Sequence, residues 1–205
     1  MIPLALYLAF VLATIVVLLI PGPNVALIVS TSVVHGPRAG LMTVAGTSLA
    51  MLLQLALTVT GMAALLTISA EVFSVLRAVG VAYLLYLGIR TWRAAPVDLT
   101  TMPPPQPGAP AIFFRGLLVS LTNPKTLLFF GAFLPQFVSP ASPLLPQLLI
   151  LSASFLALAV MLDSSWALAA ARLRFLLSGN GRLRNRLSGG LLIGAGLGLA
   201  LTRKN

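Results

Sequence analysis

The chain has no cysteine, a single histidine and only three acidic residues among its 205. Without cysteine there is no disulfide, no thiolate metal site and no thiol nucleophile. His35 alone cannot build a paired-histidine zinc site, and imidazole general-base chemistry has little to draw on. Charge is scarce throughout: 8% of residues are Asp, Glu, Lys or Arg, against about a quarter in soluble domains. With 59% hydrophobic residues and a mean hydropathy of +1.04, too few polar side chains exist to coat a water-soluble globule. The composition is that of a polytopic membrane protein.

What charge there is has one sign. Thirteen Lys and Arg against three acids give a net charge of +10. Nucleic acid is not the expected partner, because the arginines lie between long apolar stretches instead of on a soluble basic face. Positive loops flanking membrane spans account for them better.

A spanning helix needs about 20 mostly apolar residues. Six such runs are expected, at about 4–34, 40–66, 72–92, 112–134, 146–171 and 187–201. The first is too long for one straight crossing, and Pro21-Gly22-Pro23 lies inside it. Membrane β-barrels alternate apolar and polar residues, which these runs do not. A signal peptide is a poor reading of residues 1–34, since no positive segment precedes the apolar run and prolines interrupt it. Loops after runs one, three and five hold nine basic residues: Arg38, Arg90, Arg93, Arg115, Arg172, Arg174, Arg182, Arg184 and Arg186. The opposite side holds three, Arg77, Arg203 and Lys204. The odd loops are therefore expected in the cytoplasm and both termini outside. The Arg172–Arg186 stretch is expected on the anionic cytoplasmic leaflet.

Residues 94–111 contain Pro96, Pro103, Pro104, Pro105, Pro107 and Pro110, a composition that favours an extended linker. It separates a first half, 1–93, from a second, 112–205, with three runs in each. Three is odd, so two similar halves would insert in opposite orientations. The first run of each half is broken by proline beside asparagine: Pro21-Gly22-Pro23-Asn24 and Asn123-Pro124-Lys125. Paired interrupted helices in inverted halves point to a secondary transporter's binding site, although two unrelated proline kinks would look the same locally.

Each break has a chemistry. Pro21 and Pro23 should release the carbonyls of Val17 and Leu19, and Pro124 that of Ser120. Such carbonyls must be buried in protein or face a wet cavity. Asn123 suits the cap of a restarted helix and Pro124 its first position. Helix starts and the Lys125 ammonium suit a carboxylate; bared carbonyls and the Asn24 and Asn123 side chains suit an amino group. An amino acid presents both. Alternatively, the asparagines cap their own helices and Lys125 snorkels. Asp163 is the lone acid inside a run, a candidate proton carrier unless it pairs statically with Lys125 or Arg77, or faces the cytoplasm near Arg172. Gln54, Thr58 and Thr47 line a path or bond between helices with equal plausibility. Tyr83 and Tyr86 suit packing, His35 a solvated loop, and the Gly190, Gly194 and Gly198 stripe a close-packing face.

These residues resemble the LysE/RhtB family of bacterial amino-acid exporters. Pro21-Gly22-Pro23-Asn24 is similar to that family's first-span signature, and Gly36-Pro37-Arg38-Ala39-Gly40-Leu41 with Gly46 to the start of its second span. Leu76–Gly88 resembles its third-span block. Asn123-Pro124-Lys125, with Phe129-Phe130 and Leu134-Pro135-Gln136-Phe137, resembles its fourth. The resemblance implies a multi-pass protein of the bacterial cytoplasmic membrane that exports amino acids or close derivatives by proton antiport. It implies Asn24, Asn123 and Lys125 as shared site positions.

The expectation is an all-α membrane protein of six transmembrane helices in two inverted three-helix halves, with helices 1 and 4 broken at proline. Substrate would be held by Pro21, Gly22, Pro23, Asn24, Asn123, Pro124, Lys125 and Gln54, with Asp163 coupling protons. No metal and no cofactor is expected. Partners would be a neutral amino acid, protons and membrane lipids, with a homodimer left open. A non-transporting scaffold, or an exporter of another solute or cation, is the alternative. A Ser120–Lys125 acyl-transfer enzyme has nothing further to support it.

Overall fold

A computed structural model describes residues 2–20, 22–65, 70–94, 107–176 and 180–201. All regular structure among these residues is helical. In chain order the helices are α1 (Leu4–Leu19), α2 (Pro23–His35), α3 (Pro37–Leu65), α4 (Ala70–Arg93), α5 (Ala109–Leu121), α6 (Pro124–Leu128), α7 (Leu144–Leu176) and α8 (Gly181–Leu201). A π-helical turn, Phe129–Phe133, and a 3-10 turn, Leu134–Phe137, follow α6. Proline opens α2, α3 and α6, where its missing N–H costs nothing and its fixed φ is already helical. Gly36, with φ 92°, is the single residue between α2 and α3. A side chain there would be strained, so glycine permits this one-residue corner.

Several expected boundaries shift. The run 4–34 is two helices, α1 and α2, bent by 51° at residues 20–22. The run 112–134 is α5, α6 and the two turns, and α5 starts earlier, because Pro110 in a first turn is harmless. Residues 182–186, expected in a loop, belong to the first turns of α8. Most of the proline linker lies outside the described residues. Two helical stretches, Pro37–Gly61 and Leu144–Arg172, are long and apolar enough to cross a membrane by themselves, and the bent α1–α2 pair makes a third.

Polar side chains are held inside, among buried apolar ones, while large apolar side chains face outward. Asn24, Gln54, Ser120, Asn123, Gln147 and Asp163 are buried, whereas Leu4, Leu12, Leu57, Phe114, Leu149 and Met161 are exposed. An apolar surface of that extent needs lipid to cover it. This is a membrane protein.

Helix α2 is central, packed on α3, α5, α7 and α8. Around it α3 packs against α5 and α7, α4 against α8, and α1 against α7. The α3–α5 crossing is close enough to require glycine on both helices. A Cβ on Gly46 would collide with the Phe113 carbonyl and stand 3.0 Å from the Leu117 nitrogen, and one on Gly116 would lie 2.6 Å from the Thr43 carbonyl. Backbone cannot swing aside as a side chain can. Gly46→Val is therefore expected to cost at least about 1–3 kcal/mol, measured as a lowered thermal midpoint in detergent; an unchanged midpoint would show that α3 and α5 can part freely. On α8 a tight approach is made by Gly189, where a Cβ would lie 2.7 Å from the Gly88 carbonyl. Of the expected stripe, Gly190 has its Cβ position 3.3 Å from the Trp92 ring, Gly194 has no neighbour within 4 Å among the described residues, and the surroundings of Gly198 lie outside them.

Candidate functional site

Both helix breaks come to one place. Asn24, in the first turn of α2, donates from Nδ2 to Ser120 Oγ at 3.1 Å. Asn123, just before α6, donates from Nδ2 to Asn24 Oδ1 at 3.0 Å. Ser120 Oγ in turn donates to the Thr47 carbonyl at 3.2 Å. Asn24, Ser120 and Asn123 are 5%, 0% and 0% exposed, so these bonds are made away from water. Asn24→Ala would strip partners from two buried groups, at about 1–3 kcal/mol each. A thermal midpoint in detergent equal to wild type would show that the network contributes nothing.

Asn123 also caps α6 as its sequence suggests: its Oδ1 accepts from the Lys125 backbone N at 3.1 Å, and Pro124 takes the first helical position. Two of the three carbonyls expected to be released, those of Val17 and Ser120, are taken by side chains, together with those of Ile20 and Leu121. Ser120 O accepts from Gln54 Nε2 at 3.1 Å, and Leu121 O from the same nitrogen at 3.2 Å. Lys125 Nζ donates to Val17 O at 3.0 Å and to Ile20 O at 2.9 Å. Its stem runs beside Gly22, whose Cβ position is 3.5 Å from Nζ. The ammonium that the sequence presents to a carboxylate is thus engaged by carbonyls of the other break. Two helices snapped by proline are locked to each other by one lysine. Lys125 does not snorkel.

The helix-start part of the expectation is weaker. Helix α6 has five residues before the π-helical turn, too short for a full macrodipole. Gly22 precedes α2 without a side-chain cap, and Ala26 N bonds to its carbonyl at 2.8 Å. Pro21 lies outside the described residues. The Gln54 side chain ties α3 to α5, whereas Thr47 does so only through its carbonyl, its Oγ1 returning to the Val44 carbonyl at 3.0 Å, as Thr58 Oγ1 returns to the Gln54 carbonyl at 2.8 Å. Among the described residues Gln54 Oε1 is buried without a hydrogen-bond partner, an acceptor left open beside the breaks.

Asp163 is 2% exposed, on a stripe of α7 spaced by four: Leu151, Phe155, Ala159, Asp163, Ala167 and Ala171, all buried. Alanine on either side leaves room for the carboxylate. Among the described residues no basic group lies within 4 Å of it; Lys125 is the charge it feels, at longer range. Arg172 is exposed at the far end of α7, and the side chain of Arg77 lies outside the described residues. Ser120 and Lys125 form no nucleophile pair, since each uses its bonds elsewhere.

Two apolar layers bracket this polar centre. On one side Phe10, Phe129, Phe130 and Phe155 pack with ring centroids 4.7–6.2 Å apart, joined by Met51, Leu55, Leu134 and Leu151 in one buried cluster. On the other side Ala26, Leu27, Leu87, Val119 and Leu192 form a thinner one. Sequence reading missed Ser120 as a hub; its signal, a polar residue one turn before Asn123, was slight. It also misplaced His35, which ends α2, half-buried at the edge of a cavity, because α2 runs on until Gly36.

A family profile described as LysE type translocator matches residues 15–203. The chain belongs to that family. A homoserine/homoserine lactone efflux protein of Salmonella typhimurium (strain LT2) is 32% identical over 198 residues, covering 95% of this chain and 96% of its own. A Vibrio cholerae membrane protein is 33% identical over 200 residues, 96% and 97% of the two chains. A leucine efflux protein of Klebsiella pneumoniae is 33% identical over 138 residues, 64% and 63% of the two. No solved structure matches the chain. LysE type translocators are transporters, so the polar centre between the breaks belongs to a protein that moves a solute across a membrane.

Proposed function

We infer that this translocator exports neutral amino acids or close derivatives across the bacterial cytoplasmic membrane in exchange for protons. One observation carries the reading: Lys125 Nζ sits on the Val17 and Ile20 carbonyls, so a site that binds a primary ammonium is already built where the breaks meet. A substrate's ammonium can take over those carbonyls, and the displaced lysine then faces the substrate's carboxylate. Both ends of an amino acid are satisfied by one exchange of partners. Asn24, Asn123, Gln54, Gly22, Pro23 and Pro124 shape the site, and the open Gln54 Oε1 offers the ammonium a further acceptor.

The chain crosses six times in this reading, as two inverted halves. The packing supports it: exchanging α1 with α5, α3 with α7 and α4 with α8 turns the α3–α5 contact into the α7–α1 contact and maps α3–α7 and α4–α8 onto themselves. The basic loops put the His35 end of the bundle in the cytoplasm and both termini outside. The phenylalanine cluster is then the outer seal and the thinner leucine layer the inner one, which alternating access would open in turn. Asp163, beside the lysine in charge if not in contact, carries the proton.

Neutral substrates are favoured because Asp163 is the lone acid in these runs and a dibasic substrate would need another; the leucine and homoserine named for two relatives agree. The test is purified protein in liposomes with an imposed pH gradient. Accumulation of labelled L-leucine or L-homoserine that collapses with an uncoupler is expected. Absence of flux for every amino acid in a panel would overturn export and leave a scaffold.

A further inference from the structure

Between α2, α4, α5 and α8 lies a half-open cavity that the break site does not use. Its polar lining comes from Ser30, Thr31, His35, Thr91 and Arg115. Leu27, Leu87 and Leu192, which line its apolar part, belong to the thin buried layer just described. Leu27 follows Asn24 by three residues, a rise of about 4.5 Å along α2, and Val119 of that layer precedes Ser120. The cavity is therefore one layer of side chains away from the polar network, on the side opposite the phenylalanine seal.

Arg115 gives it a preference. Among the described residues no carboxylate lies within 4 Å of this guanidinium, and the whole chain has only Glu71, Asp98 and Asp163 to offer. A guanidinium that lines one partly open cavity with Ser30, Thr31 and Thr91 is matched to a planar carboxylate, which it binds with two parallel hydrogen bonds. The cavity has a volume of about 40 Å³. One water needs about 10–15 Å³ on that measure, so a carboxylate with a water or two fits, and the rest of a small solute points out through the mouth.

We propose that this cavity is a loading site that captures the substrate by its carboxylate on Arg115 before the leucine layer parts and admits it to the helix breaks. The proposal rests on the export reading and adds a second, outlying binding position to it. Arg115 acts on capture alone. Once the ammonium reaches the Val17 and Ile20 carbonyls and the carboxylate reaches Lys125, the arginine is left behind. Its removal should weaken loading and leave the slower passage through the breaks alone.

The test uses full-length protein in phosphatidylcholine vesicles, with L-leucine and L-homoserine supplied on the cavity side. Arg115→Gln is expected to raise KM about tenfold and to keep the maximal rate within about twofold, with Arg115→Lys recovering part of the loss. A second measurement does not depend on the arginine variant folding. The chain has no cysteine, so Thr91→Cys introduces a lone thiol at the cavity. L-leucine should slow its reaction with a maleimide, and L-leucinamide, which lacks the carboxylate, should not. Unchanged KM or equal protection by both compounds, with normal wild-type flux, overturns the loading site and leaves export standing. An Arg115→Gln effect seen only in vesicles containing phosphatidylglycerol assigns the cavity to a lipid headgroup and overturns it as well. Wild-type protein that carries no amino acid at all overturns the export reading first, and this one with it.

Discussion

Lys125→Met lowers gradient-driven export of L-leucine in liposomes about a hundredfold, the loss expected when two charge-assisted hydrogen bonds disappear and each tenfold is about 1.4 kcal/mol. The lysine has two tasks in the exchange described above, holding the carbonyls of Val17 and Ile20 when the site is empty and meeting a carboxylate when it is full. Methionine keeps the length and the apolar stem and removes both. The carbonyls it abandons must then find water or stay unpaired in a low-dielectric setting, which costs several kcal/mol for each that stays dry. A lowered thermal midpoint should therefore accompany the lost transport. Lys125→Arg separates the two tasks: it retains the charge, but a planar five-donor fork does not replace a compact ammonium between two carbonyls. Transport by the arginine variant should lie between the other two. Wild-type KM and rate in Lys125→Met would end the exchange mechanism outright, whatever became of the midpoint.

Asp163→Asn is expected to abolish accumulation against a gradient, to the level of empty liposomes, while leaving downhill exchange of labelled for unlabelled L-leucine intact. The substitution preserves shape and hydrogen-bonding capacity and removes the group that can gain and lose a proton. Asp163 is buried on the inward stripe of α7, without a cation within 4 Å among the described residues. A static ion pair would show up differently, as a loss of folded protein and of exchange together. Full pH-driven accumulation by folded Asp163→Asn would remove this residue from coupling.

Much of the fold was legible because it follows from local chemistry. The apolar runs, the shortage of acids and the one-sided basic loops leave few alternatives to a helical membrane protein. Pro124 announces a helix start, since only a first turn spares the missing N–H, whereas Pro37 opens α3 three residues before the expected start of the second run. Boundaries were less legible. Residues 182–186 look like a basic loop and fold as the start of α8, and His35 looks like a corner but ends a helix. In each case packing of neighbouring helices extends the element beyond what its own composition supports.

The site divides along the same line. Sequence alone determined that two helices break beside asparagine, that backbone carbonyls are set free there, and that a lysine stands next to one break. Tertiary structure decided who meets whom. Lys125 reaches carbonyls 108 and 105 residues away, Asn24 finds Ser120 across 96, and Arg115 joins a cavity built from four helices. Pro21 marks the Val17 carbonyl as released, but nothing in the residue types marks Ile20 as the second acceptor or Lys125 as the donor to both. Only the 51° bend of one broken helix against the break of another brings those two oxygens to the ammonium.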